Sequence, residues 1–130
     1  MSQINGPLSI KNGAATPVAK SFAPERVGPD LSTFTERTAG VSAGYSRLSI
    51  GYSPASSKRA TNRVDIKLDL PVLSTVNGVS TVAYVGRFQG YFVIPDTMTA
   101  AERADLRAFV ANALDNASVM GVIKDLDPLY

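Results

Sequence analysis

The sequence predicts an α+β fold in which antiparallel strands come first and helices follow. Three observations lead to this prediction. Apolar and polar residues alternate over 45–53 and 63–70, Asn-Gly dipeptides mark tight turns at two places, and an apolar stripe with helical spacing begins after residue 97. Strands followed by helices are typical of α+β domains and not of alternating βαβ units. A chain of 130 residues fits one domain, so we expect residues 1–130 to form a single domain.

The N-terminal segment is predicted to form a β-hairpin within residues 1–23. Two strand-like stretches, Leu8–Lys11 and Thr16–Phe22, flank the turn dipeptide Asn12-Gly13. Proline and glycine residues between positions 24 and 29 then interrupt the chain. A short strand is expected at Leu31–Arg37, followed by a small, glycine-rich loop.

The main antiparallel sheet is predicted within residues 31–95. Tyr45–Ser53 and Arg63–Leu70 alternate between an apolar and a polar face, and a polar, basic turn separates them. The segment Pro71–Ser80 contains the turn signal Asn77-Gly78 and is expected to be a loop. Thr81–Ile94 is the last predicted strand.

Two helices are predicted between residues 98 and 127. Thr99 and Glu102 have the spacing of a capping box, and Ser118 is expected to cap the second helix before Pro128 ends it. One apolar stripe follows both helices and includes Leu106, Phe109, Val110, Leu114, Val122 and Ile123. This stripe could cover the chain's own sheet or the sheet of a second subunit, and the sequence alone leaves both options open.

Composition excludes most enzyme chemistry. The chain has no cysteine and no histidine, so thiolate nucleophiles, imidazole bases and nearly all transition-metal sites are absent. Acidic residues are scattered singly, and we expect no catalytic residues, no cofactor and no metal. No run approaches the roughly 18–20 apolar residues of a membrane span, and the N-terminus lacks the pattern of a secretory signal, so a cytoplasmic product is expected. A net charge of +2 permits an anionic partner without requiring one.

The polar face of the central strands is the candidate binding site. Basic side chains pair with phosphates, hydroxyls and amides bond base edges, and a tyrosine ring can stack an unpaired base. The candidate RNA-binding residues are Arg47, Ser49, Ser53, Arg63, Asp65, Lys67, Arg87, Gln89 and Tyr91. Lys58 and Arg59 on the adjoining turn extend the positive charge. Half-solvated antiparallel sheets are the norm, however, so the alternation alone favours an ordinary solvated face over a binding site.

Several segments taken together resemble the coat proteins of the small single-stranded RNA bacteriophages, the leviviruses, and the Qβ branch in particular. The helical end TAAERADLRAFVANALDNASVMGVIKDLDPLY is the most similar stretch. Residues 62–69 look like the basic central strand of the family, residues 75–79 like its loop between two long strands, and residues 86–95 like its last strand. The resemblance covers residues 45–130 well and the N-terminal hairpin only in pattern.

The resemblance implies a fold and a function. The fold would be an N-terminal hairpin, a five-stranded antiparallel sheet and two C-terminal helices that interlock with a partner subunit in a homodimer. Dimers would assemble into a T=3 icosahedral virion shell that packages genomic single-stranded RNA, and a dimer would repress replicase translation by binding an RNA hairpin. The virion would also hold a maturation protein, and the subunit would be made in the cytoplasm of a bacterial host. Contacts between dimers would involve Ser74, Thr75, Val76, Asn77, Gly78 and Val79.

The resemblance also assigns positions on the polar face. Ser49 and Gly51 fall on the RNA-facing side, Lys67 matches the central basic residue, and Gln89 matches an amide beside the base pocket. Arg87 and Tyr91 depart from the residue types of better-known members. A dimeric RNA-binding regulator that forms no shell is the alternative function, and an α+β enzyme is a weaker third.

Overall fold

The computed structural model describes residue 4 and residues 6–129, and it has the predicted order of strands and helices. The elements are β1 (Leu8–Lys11), β2 (Ala19–Arg26), β3 (Leu31–Glu36), a 3₁₀ turn (Ser42–Gly44), β4 (Ser46–Ser53), β5 (Thr61–Val76), β6 (Val79–Pro95), α1 (Ala100–Leu114) and α2 (Ala117–Asp125). The strands form one six-stranded sheet in chain order, so the α+β class is confirmed. The predicted count of five strands in the sheet is wrong by one, because β2 pairs with both β1 and β3 and so joins the hairpin to the sheet.

The N-terminal hairpin is present, but its turn is wider than the Asn12-Gly13 dipeptide predicts. Lys11 pairs with Ala19, so the strand expected from Thr16 begins three residues later, at Ala19. The Asn12 side chain organises the connection, since its Oδ1 accepts hydrogen bonds from the backbone N–H groups of Ala14 (3.3 Å) and Val18 (3.0 Å). An asparagine that bonds backbone groups ahead of it favours such a loop over a two-residue turn.

The β5–β6 hairpin contains a larger correction. Only Asn77 and Gly78 separate the strands, and both have positive φ (53° and 79°), as a type I′ turn requires. The loop predicted for Pro71–Ser80 is therefore mostly strand. Proline is tolerated because the pairing of β4 with β5 ends at Arg47 and Asp69. Pro71 lies beyond that point, so its missing N–H interrupts no hydrogen bond to β4.

The core of the sheet lies on its apolar face. Phe22, Phe34 and Leu48 are buried, with 7%, 1% and 9% of their surfaces exposed. Register explains why two of them meet, because Phe34 lies opposite Leu48, which lies opposite Leu68 on β5. Each fully buried side chain of this size contributes about 1.5–3 kcal/mol to folding. The described residues divide into two compact units, a sheet unit that ends at Val93 and a helical unit that begins at Ile94.

The capping box of the helical unit is confirmed. Thr99 Oγ1 accepts from the Glu102 N–H (3.3 Å), and Glu102 Oε1 accepts from the Thr99 N–H (3.0 Å). The prediction that Ser118 caps α2 is wrong. Asn116 is the cap, and its Oδ1 accepts from the Ser118 N–H at 3.0 Å. Leu126 ends α2 in a left-handed conformation (φ 55°), before Pro128 is reached.

Of the helices in the described part of the chain, none combines the length and the apolar character that a membrane span needs.

Candidate nucleic-acid interface

Strand register places the candidate binding residues on one face of the sheet. Ser49 lies opposite Lys67 and Ser53 opposite Arg63, so every second residue of β4 and β5 points to the same side. We call this surface the polar face, and its members are Arg47, Ser49, Gly51 and Ser53 of β4, Arg63, Asp65, Lys67 and Asp69 of β5, and Arg87, Gln89 and Tyr91 of β6. The β6 residues join it through side-chain contacts with β5.

The centre of the polar face is a shallow depression of about 400 Å³. Seven of the residues of the polar face line it, namely Ser49, Gly51, Ser53, Arg63, Asp65, Lys67 and Gln89. Gly51 lies in the depression next to Asp65, and a Cβ atom added there would make an ordinary van der Waals contact of 3.6 Å with the Cβ of Asp65. Arg47, Arg87 and Tyr91 lie on the polar face outside this depression. The depression therefore offers hydroxyl, amide, acidic and basic groups within one concave surface.

The three arginines of the polar face each form an ion pair with a carboxylate. Arg63 Nε lies 2.9 Å from Asp65 Oδ1, and Arg87 Nε lies 3.5 Å from Asp69 Oδ1. Arg47 lies 3.8 Å from Glu25, a residue of β2 that was not among the predicted site residues. Exposed pairs of this kind are worth about 0–1 kcal/mol, so a phosphate can displace the carboxylate from each arginine.

Lys67 differs from the three arginines. It is exposed, it lies opposite the neutral Ser49, and within residues 6–129 it takes part in no ion pair. Its ammonium group is therefore the cation of the polar face with no carboxylate to displace before it meets a phosphate.

Tyr91 and Arg63 are in direct contact. The guanidinium carbon of Arg63 lies 4.0 Å from the centre of the Tyr91 ring, which is a close cation–π distance. Tyr91 is nevertheless 59% exposed. Alternation along the strands predicted that both side chains share a face, but not that they stack on each other.

Sequence reasoning missed two residues that line the depression. Asp30 and Leu31 also line the depression, because the Tyr52 N–H donates to the Asp30 carbonyl (2.8 Å) and holds the start of β3 against β4. Asp30 precedes β3, and Leu31 is an apolar residue that reaches this face because it pairs with Gly51, so neither was identified by a polar side chain in an alternating strand. Arg59 was expected to add charge to the site. Its guanidinium instead donates to three backbone carbonyls, those of Ser53, Pro54 and Thr61, and stabilises the β4–β5 turn.

The tip of the β5–β6 hairpin is open to solvent. All residues from Ser74 to Ser80 are exposed, and Val76 and Val79 have 62% and 61% of their surfaces accessible. Thr75 and Ser80 are joined by a hydroxyl contact of 3.2 Å across the strands. Val76 and Val79 flank the two-residue turn, so the tip presents two exposed apolar side chains.

The described residues contain no group of three or more His, Cys, Asp or Glu side chains that could hold a metal ion.

The fold, an antiparallel sheet followed by two helices, is similar to solved structures of bacteriophage particles. The virus-like particle of bacteriophage NT-214 superposes with a TM-score of 0.86 at 27% identity, covering 99% of this chain and 100% of that one. The virus-like particle of bacteriophage ESE058 gives 0.82 at 28% identity, covering 98% and 100%. The bacteriophage GA capsid protein shares the fold at 16% identity, with a TM-score of 0.69 over 90% and 93% of the chains.

Residues 4–130 match the family described as levivirus coat protein, and the chain belongs to this family. Its role is therefore that of a structural capsid protein and not of an enzyme. No curated protein sequence matches the chain.

Proposed function

We propose that this coat protein forms homodimers that assemble into a closed virion shell around single-stranded RNA. The match to the coat protein family over residues 4–130 is the observation that carries this proposal. The related structures of bacteriophages ESE058 and NT-214 are virus-like particles, and their similarity extends over nearly the whole chain. We propose that this shell has T=3 symmetry, contains one maturation protein and is made in the cytoplasm of a bacterial host.

The helical unit supports the dimer. Neither α1 nor α2 contains a buried residue, and Phe109 and Ile123 are 73% and 60% exposed. An apolar stripe of this size is costly in water and favours coverage by another surface. We place the stripe against the sheet of the partner subunit, with Leu106, Phe109, Val110, Leu114, Val122 and Ile123 at the contact.

The hairpin tip supports the contacts between dimers. Its six residues, Ser74, Thr75, Val76, Asn77, Gly78 and Val79, are exposed and lie at the end of the longest hairpin of the sheet. A type I′ turn holds the tip in one conformation, which lowers the entropy lost on assembly. We propose that the two valines bury their side chains against neighbouring dimers.

The polar face supports RNA binding. It holds four cations and two carboxylates, and Lys67 has no ion-pair partner among the residues described. Basic groups fix the phosphate backbone, whereas Ser49, Ser53 and Gln89 can bond base edges. We propose that this face binds genomic RNA inside the shell, and that one dimer binds an RNA hairpin at the replicase start and represses its translation.

Shell formation is tested by electron microscopy and native mass spectrometry of the purified protein. Closed particles of uniform size, with nuclease-protected RNA inside, are the expected result. If only dimers form across a range of salt and RNA concentrations, the shell proposal fails and the dimeric RNA-binding regulator replaces it.

The RNA-binding face is tested by Lys67→Ala, with Lys11→Ala as the matched control. Both lysines are exposed on strands, but Lys11 lies on β1, away from the polar face. Removing one phosphate contact should weaken RNA binding and reduce the slope of log K against log salt by roughly 0.7–0.9. Equal affinities and slopes for the two variants would mean that another surface binds the RNA.

A further inference from the structure

Arg63 is held on two sides at once. Its Nε donates to Asp65 Oδ1 at 2.9 Å, while its guanidinium carbon lies 4.0 Å from the centre of the Tyr91 ring. All three side chains remain accessible, with 43% and 44% exposure for the ion pair and 59% for Tyr91. The three residues therefore form an ordered stack at the surface, which we call the Arg63 platform.

The two contacts change what Arg63 can do. The carboxylate of Asp65 occupies Nε and has to be displaced before a phosphate can bind there, whereas Lys67 has no such competitor among the residues described. The guanidinium of Arg63 lies over the Tyr91 ring, and because the Arg63 side chain is 43% exposed it remains accessible to a second planar group. Guanidinium planes stack unpaired bases as aromatic rings do. Arg63 is thus prepared for stacking, whereas Lys67 is free to attract phosphates.

We propose that the Arg63 platform binds an unpaired base of the RNA by stacking, with Asp65 and Tyr91 as positioning residues. This inference rests on the proposed RNA-binding function and assigns different roles to Lys67 and Arg63. Lys67 supplies affinity that depends on salt and not on RNA structure. Arg63 supplies preference for RNA with an unpaired base, and this preference depends little on salt.

The proposal is tested with two RNA hairpins that differ in one position. One carries an unpaired purine, with 2-aminopurine as a fluorescent version, and the other has that purine paired within the stem. The wild-type protein should prefer the first hairpin by about five- to a hundredfold, which corresponds to one stacked base. The 2-aminopurine fluorescence should be quenched on binding, because the base stacks.

Arg63→Lys keeps the charge and removes the planar group. We expect this variant to lose most of the preference and the quenching, while its salt slope stays that of the wild type. Lys67→Ala should show the reverse, with a smaller salt slope for both hairpins and an unchanged preference. Asp65→Asn should release Arg63, so that the salt slope rises and the preference falls.

The outcomes separate this inference from the proposed function. If the wild-type protein binds neither hairpin, RNA binding by this coat protein is refuted. If it binds both and Arg63→Lys keeps the full preference and the quenching, only the stacking role of Arg63 is overturned. Dimer mass and thermal unfolding of each variant show that the comparison is made between folded proteins.

Discussion

The sheet unit buries some of its apolar residues, whereas the helical unit contains no buried residue within its two helices. In the sheet, Phe34 is 1% exposed and Leu48 is 9% exposed, because neighbouring strands place them against each other. In the helices, Phe109 is 73% exposed, and neither α1 nor α2 contains a buried residue. Both patterns are equally regular in the sequence. Periodicity thus predicts which face is apolar, whereas only the structure tells whether the chain itself covers that face.

The strongest test of the comparison is Phe34→Ala. The side chain is almost completely buried, so its removal should destabilise the sheet unit by about 3–5 kcal/mol. Chemical denaturation measures the loss, and Val27→Ala is the control because Val27 is 55% exposed. A loss below 1 kcal/mol for Phe34→Ala would contradict the placement of the core.

Phe109→Ala tests the other half of the comparison. Within one chain this exposed ring contributes little, but at a dimer contact its loss should cost about 3 kcal/mol. The cost should appear as a higher dimer dissociation constant in analytical ultracentrifugation and as a melting temperature that depends more strongly on protein concentration. Arg107→Ala, an exposed change on the same helix, is the control. Unchanged dimer affinity would remove α1 from the subunit interface.

Gly44→Ala tests how tightly the sheet unit is packed at its rim. A Cβ atom at this buried position would lie 2.7 Å from Leu73 Cδ1 and 3.0 Å from Ala39 Cβ. Such overpacking should cost about 1–3 kcal/mol. Gly13→Ala is the control, since nothing lies within 4 Å of its added methyl group.

A double variant sharpens the Gly44 test. Leu73→Ala should relieve part of the clash, so the two changes should be less harmful together than their separate losses predict. Strict additivity would show that Leu73 does not set the available space.

The sequence predicted some local features correctly, although the Ser118 cap was wrong, and it predicted long-range contacts poorly. Alternation placed Lys67 and Ser49 on one face, and the spacing of Thr99 and Glu102 predicted the capping box, because both depend on residues close in the chain. The extension of β5 through Pro71 was missed, since it depends on where the pairing with β4 ends. The stack of Arg63 on Tyr91 was missed for the same reason, because 28 positions separate residues that meet only when β6 folds back on β5.

The smallest expected effect concerns the start of the helical unit, whose stability depends on local hydrogen bonds more than on a core. Hydrogen bonds from the backbone and the side chain of Thr99 lower the pKa of Glu102 below its ordinary value of 4.5. A carboxylate with a lowered pKa stabilises the folded state above pH 4.5, and this contribution is lost as the pH falls through the lowered pKa.

Hydrogen exchange at the first turn of α1 should therefore accelerate in acid in the wild-type protein. In Glu102→Gln the amide keeps an acceptor for the Thr99 N–H but does not titrate, so this acceleration should be much weaker. The same acid dependence in both proteins would mean that protonation elsewhere opens the helix. Because the sheet unit contains its own core, its exchange should not follow the titration of Glu102 in either protein, and this contrast separates local loss of the cap from global acid unfolding.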